Sequence, residues 1–182
     1  GDTIMRLLKF LSVFIFAVLA VGCQSTRPIY TVENVDLERF MGAWYVIASI
    51  PTFIEKDAYN AVESYRLEKN GTVATTFTFN KADFDGKLKT YQPKGFVVEN
   101  SGNAVWKMQF VWPFKAEYRI IYLTEDYQQT VIGRTKRDYA WIMAREPMIS
   151  EKDFKQIKDF LVGQGYTLDD LRLVPHQKVR EN

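Results

Sequence analysis

The chain carries one cysteine, Cys23, and one histidine, His176, and these two residues bound the covalent and acid–base chemistry it can run. His176 stands beside Pro175 near the C-terminus, and no serine lies in a Gly-x-Ser-x-Gly elbow for it to activate. It reads as a surface residue of the tail. Cys23 has no second cysteine to pair with, so an internal disulfide is excluded. No Cys-x-x-Cys, His-Glu-x-x-His or glycine-rich phosphate loop occurs. A metal would have to be held by oxygen alone, and the acidic residues are scattered. Asp83-Phe84-Asp85-Gly86 lacks the remainder of a calcium loop and reads as an acidic turn. Catalysis would be left to carboxylates and tyrosines.

The position of Cys23 says more than its thiol. Arg6 and Lys9 give a basic start, and 10–22 (FLSVFIFAVLAVG) carries no charge. A basic start, a short apolar run and small residues at its end form the layout of a secretory signal peptide. A spanning helix needs about 20 apolar residues, more than this run offers. Gly1 to Ile4 are set aside as a non-native start. Gly22 before Cys23, with Leu19, Ala20 and Val21 upstream, resembles a bacterial lipobox, in which the cysteine becomes the lipid-bearing N-terminus. The leucine usual three positions before the cysteine is Ala20 here, with Leu19 one place earlier. Gln24 rather than aspartate follows, which by the same resemblance implies sorting to the outer membrane. The expected division is a signal peptide over 1–22, a lipidated tether over 23–33 and one domain over 34–182. The alternative is an uncleaved signal anchor in which Cys23 is a bystander.

The mature chain is a comfortable single domain, and without disulfides its stability must come from the core. Net charge is +2 with no basic stripe, which argues against nucleic acid as a partner. Aromatic residues make up 15% of the chain, so they must either fill a core or line a cavity. Short β-rich runs recur at 43–50, 58–67, 72–79, 87–98, 104–112, 117–123, 130–134 and 139–145, separated by turn residues such as Lys69-Asn70-Gly71 and Ser101-Gly102-Asn103. A helix follows, with Ser150 as N-cap, an apolar stripe of Phe154, Ile157, Phe160 and Leu161, and Gly163 and Gly165 at its end. The pattern is all-β: eight strands in an up-and-down antiparallel barrel or a sandwich, with one C-terminal α-helix packed outside.

Three short segments narrow this further. Gly42-Ala43-Trp44-Tyr45 opens the first strand, Leu123-Thr124-Glu125-Asp126-Tyr127 joins the sixth and seventh, and Trp141-Ile142-Met143-Ala144-Arg145 ends the eighth. In this order they resemble the signature regions of the lipocalins, with Glu125 as an extra residue or a shifted register in the second. The phrase from Asn34 to Ala48 is especially similar to the bacterial outer-membrane lipoprotein lipocalins and their apolipoprotein D-like relatives. In such a barrel Trp44, Arg145 and the 124–127 turn share one end, where the guanidinium can stack on the indole. Gly42, Trp44 and Arg145 are accordingly structural residues that plug a closed end. The open end then carries loops 51–57, 81–86, 111–115 and 135–138. Their Phe53, Phe84, Trp112 and Phe114 form either a portal for a greasy ligand or membrane, or a lid over the mouth.

Period-two alternation from Trp44 assigns the lumen to Val46 and Ala48; Ala61, Glu63 and Tyr65; Phe77 and Phe79; Tyr91 and Val97; Trp106, Met108 and Phe110; Tyr118, Ile120 and Tyr122; and Trp141 and Met143. Glu63 is the odd member, because a buried carboxylate is costly unless paired. Either that strand is displaced by one residue, or Glu63 is partly solvated, or it meets a tyrosine or a ligand head group. The resemblance implies a lipid-anchored, periplasm-facing binder of a fatty acid or lysophospholipid, serving lipid storage or transport in the envelope without a cofactor. The other readings are a lipocalin-fold enzyme acting on a lipid and a structural envelope protein whose barrel is filled by its own aromatics. Oligomeric state is not indicated.

Overall fold

Residues 42–144 alternate inward and outward side chains along strands that close on themselves. In a computed structural model, which describes residues 28–177, these are β1 (Gly42–Ile50), β2 (Ala58–Leu67), β3 (Thr72–Lys81), β4 (Leu88–Tyr91), β5 (Lys94–Val97), β6 (Val105–Val111), β7 (Phe114–Leu123), β8 (Gln129–Gly133) and β9 (Ala140–Ala144). Each pairs antiparallel with the next, except that β4 and β5 both pair with β3, and β9 returns to β1. The result is a closed eight-stranded antiparallel barrel. The expected signal peptide over 1–22, Cys23 and the first part of the expected tether lie outside the described residues.

The expected strand at 87–98 is two strands, β4 and β5. Pro93 has no N–H for the ladder, and its carbonyl instead accepts from Thr75 N–H at 3.2 Å. Two further elements are short. One is α1 (Leu37–Phe40), capped by Asp36, whose side chain accepts from Arg39 N–H. The other is β10 (Arg172–Leu173), which adds to β1. The long helix, α2 (Glu151–Gly163), begins at Ser150, whose hydroxyl accepts from Asp153 N–H at 3.0 Å.

Two β-bulges decide which face serves which core. Ile47 is an extra residue of β1 against β9, and Ile121 is an extra residue of β7 against β8. A bulge turns two successive side chains to the same face. Ile47 and Ala48 therefore both point outward, as do Ile121 and Tyr122, joining Ile142, Ile157 and Leu161 in a second core between barrel and helix. This corrects two lumen assignments: strict alternation places Ala48 and Tyr122 inside, and the bulges put them outside, with Tyr122 against Phe160 at 5.2 Å. Full burial of Ile157 and Leu161 stabilises the helix by about 1.5–3 kcal/mol each. Gly133 lets this layer close, since a Cβ there would lie 2.6 Å from the Tyr166 hydroxyl and 2.8 Å from Ile121.

The tail after α2 is tied to the barrel as well. Val174 N–H donates to Ile47 O at 3.0 Å, and Asn60 N–H donates to Pro175 O at 2.8 Å. His176, expected as a surface residue, is half-buried. Its Nε2 bonds Val46 O at 2.8 Å and its ring meets Tyr45 edge-on. Burial lowers its pKa, consistent with a neutral ring in a structural contact.

Candidate functional site

The closed end is built around Arg145. Its guanidinium lies 3.8 Å above the Trp44 ring. Nη1 donates to Ala43 O at 2.7 Å, and Nη2 points at the carbonyls of Arg39, Phe40 and Met41 at 2.8, 3.2 and 2.9 Å. These are backbone acceptors that α1 and the entry to β1 leave unpaired. Gly42 supplies the positive φ of +92° that brings the chain past the guanidinium. The Trp44 indole N–H donates to Phe40 O at 2.8 Å. The 124–127 turn reaches the same place: Arg39 stacks on Tyr127, whose hydroxyl accepts from Asp36 N–H at 2.9 Å.

Above this plug the lower half of the lumen is filled by the protein itself. Phe40, Trp44, Tyr65, Trp106 and Tyr118 pack ring on ring, with Trp106 and Tyr118 stacked at 5.1 Å. Val46, Ala61, Phe79, Ile120 and Met143 are buried in the same core, with Tyr91 and Val97 packed at its edge. Of these residues only Tyr118 also lines the open space.

The upper half holds a cavity of about 250 Å³. Of the residues assigned to the lumen from sequence, it brings together Glu63, Phe77, Met108, Phe110, Tyr118 and Trp141. Thr52, Phe53, Ile54, Glu55, Ala116, Glu117, Arg134 and Tyr139 complete the wall; of these only Phe53 was picked out from sequence, as a residue of the mouth. Ala116 and Tyr139 were within reach, because each stands two residues before an assigned inward residue. Glu55 was not, since it sits in a loop with no period to follow. Its buried carboxylate accepts from Thr52 N–H at 3.0 Å and from the Trp141 indole at 3.1 Å, which holds the 51–57 loop against the barrel. Burial raises its pKa, and those hydrogen bonds offset part of the rise.

Glu63 faces the cavity, so the strand is in register and the surface that this residue keeps belongs to the cavity wall. The Tyr65 hydroxyl donates to Glu63 Oε2 and in turn meets the Tyr118 hydroxyl at 2.7 Å. Burial, and secondarily the charge of Glu55, push the Glu63 carboxyl up to about 8. The folded chain thus holds a proton that the unfolded chain releases near its ordinary 4.5. The stability linked to this group is fully present below pH 4.5 and is lost as pH climbs toward 8. Glu63→Gln removes the titration. Between pH 5 and 9 the wild type should lose roughly 2–4 kcal/mol relative to Glu63→Gln, with cavity water offsetting part of the full shift. Urea unfolding of both proteins at pH 5, 7 and 9 measures this, and parallel profiles would refute it.

The rim is apolar and open to solvent. Phe53, Trp112 and Phe114 are 89%, 81% and 76% exposed. Phe84 is not part of this surface, because it packs edge-on against Tyr59 at 5.1 Å. No group of three or more potential metal-ligating side chains occurs among the described residues.

Comparison with known proteins agrees with this geometry. A family model described as a lipocalin-like domain matches residues 35–176. Temperature-induced lipocalin-1 of Arabidopsis thaliana is 31% identical over 161 residues, covering 82% of this chain and 83% of that protein. Outer membrane lipoprotein Blc of Citrobacter freundii is 28% identical over 170 residues, covering 92% and 96%. Among solved structures, insecticyanin from the tobacco hornworm Manduca sexta superposes with a TM-score of 0.63 at 14% identity, covering 83% of this chain and 88% of that one.

Proposed function

This chain belongs to the lipocalin family, and from that premise we propose that it is a lipid-anchored outer-membrane lipocalin that holds a fatty acid or lysophospholipid in the upper half of its barrel. The observation that carries the reading is the cavity itself: about 250 Å³ walled by Phe77, Met108, Phe110 and Trp141 beneath an aromatic mouth. Burial of an acyl chain there contributes about 0.8 kcal/mol per CH₂. The aromatic floor sets how deep the chain can go, so the tail enters first and the head group stays among Glu117, Arg134 and Tyr139 near the mouth. Similarity to outer membrane lipoproteins supports an anchor at Cys23 and a role in lipid storage or transport in the envelope. Glu63, Tyr65 and Tyr118 hydrogen-bond to one another, which fits a binding protein better than an enzyme.

Native mass spectrometry tests this on the chain from Gln24 onward, which keeps every described residue. After mixing with palmitate or lysophosphatidylethanolamine, a one-to-one adduct is expected. A folded sample with no adduct to either would reject the reading and leave a structural role for a filled barrel.

A further inference from the structure

The segment before the barrel has a direction. Val35 N–H donates to Gly102 O at 2.8 Å, in a turn at the closed end, and Val32 N–H donates to Ile120 O at 3.1 Å, midway up β7. Ile29 is buried in the outer core and reaches Gly133, where β8 ends and the chain enters the mouth loop at 134–139. Gly133 pairs with Arg119, so residues 28–35, part of which the sequence reading gave to the tether, form a strap laid along the barrel wall from about mid-height of β7 down to the plug, with its N-terminal end on the mouth side. Cys23 lies six positions before Ile29, a reach of about 20 Å at full extension.

The same end carries the exposed apolar surface. Val111, Trp112 and Phe114 at the β6–β7 hairpin and Phe53 in the β1–β2 loop all face solvent. Such a patch on a soluble domain marks a surface that meets something apolar. Tryptophan is the residue type that settles at the headgroup level of a bilayer.

We propose that the barrel docks mouth-down on the membrane that holds its anchor, with Phe53, Trp112 and Phe114 inserted at the lipid interface. This rests on the reading of Cys23 as the anchor point. Followed back toward the tether, the strap climbs the wall from the plug toward the mouth, which is the end that carries the aromatic patch. A ligand then passes between bilayer and cavity through the mouth without crossing bulk water. The domain contributes its own membrane affinity through the apolar side chains that it exposes at the mouth.

The test uses the sole cysteine. The chain from Cys23 onward is coupled through its thiol to a maleimide lipid in vesicles of phosphatidylethanolamine and phosphatidylglycerol, some carrying brominated acyl chains. Trp112 emission should be quenched by the bromines, and Trp112→Phe should remove most of that quenching. A reporter at the opposite end, Glu38→Trp in the Trp112→Phe background, should stay unquenched. Quenching at position 38, or none at 112, would overturn the proposal. The uncoupled chain from Gln24 should bind the same vesicles, and Trp112→Ser with Phe114→Ser, neither of which lines the cavity, should weaken that binding about tenfold. Unchanged binding would count against insertion. Palmitate binding by the same variants is measured separately, so a failed cavity and a failed docking surface give different results. Free Cys23 in the native membrane fraction would remove the anchor premise alone.

Discussion

Arg145→Ala should destabilise the barrel by about 3 kcal/mol, a shift of roughly 6–12 °C in Tm for a domain of this size. The side chain ties four carbonyls, of Arg39, Phe40, Met41 and Ala43, to the roof of the Trp44 ring. Each charge-assisted hydrogen bond contributes about 1.5–3 kcal/mol and the cation–π contact about 0.5–2. They are not additive, because carbonyls freed at this half-buried end regain water. Arg145→Lys should recover little, since one ammonium cannot span acceptors on both sides of the indole. Urea denaturation measures both variants. A loss under 1 kcal/mol for alanine, or full recovery by lysine, would show that the plug is held by packing alone.

Met108→Trp should weaken acyl-chain binding by at least about 100-fold while the protein stays folded. Met108 is buried in the cavity wall between Gly95 and the open space. An indole at this position occupies the volume that a chain would use. Excluding about four methylenes removes roughly 3 kcal/mol, which is about two orders of magnitude in Kd. The cost to stability should stay within about 1–3 kcal/mol, because the extra volume goes into space and not into packed atoms. Tyr122→Ala is the control: that residue points outward against Phe160, so binding should be unchanged. Titration with palmitate distinguishes the outcomes. Equal binding by wild type and Met108→Trp would remove the ligand from this cavity.

The barrel was legible in the sequence because its signals are local. Turn residues bounded the strands, alternation gave their faces, and Ser150 with its apolar stripe gave the helix. The split of one strand at Pro93 was also there to be read, since proline cannot join a ladder. The bulges at Ile47 and Ile121 were not. Each sits in a continuous apolar run, where both faces are greasy and a one-residue phase slip leaves no trace in composition. That is why Ala48 and Tyr122 were placed on the wrong side. The depth of the open space was hidden for a different reason. Whether Trp106 and Tyr65 line a void or fill it depends on how rings from α1, β2, β6 and β7 meet, which is a property of packing and not of any one strand. Glu63 was flagged by its burial cost, and its partner proved to be a tyrosine two residues along on the same face. Glu55 had no flag, because loops carry no period.

The two bulges also bear on how such a protein changes over generations. On a strictly alternating strand an insertion exchanges every side chain between interior and exterior, so pocket and exterior must change together. Here the bulges give the helix seat its own residues, Ile47, Ala48, Ile121 and Tyr122, while Val46, Ile120 and Met143 serve the interior. Selection on the interior packing that sets the depth of the pocket can therefore act on one set while the other stays fixed. A lineage could retune its cargo many times without renegotiating the architecture that holds the helix in place.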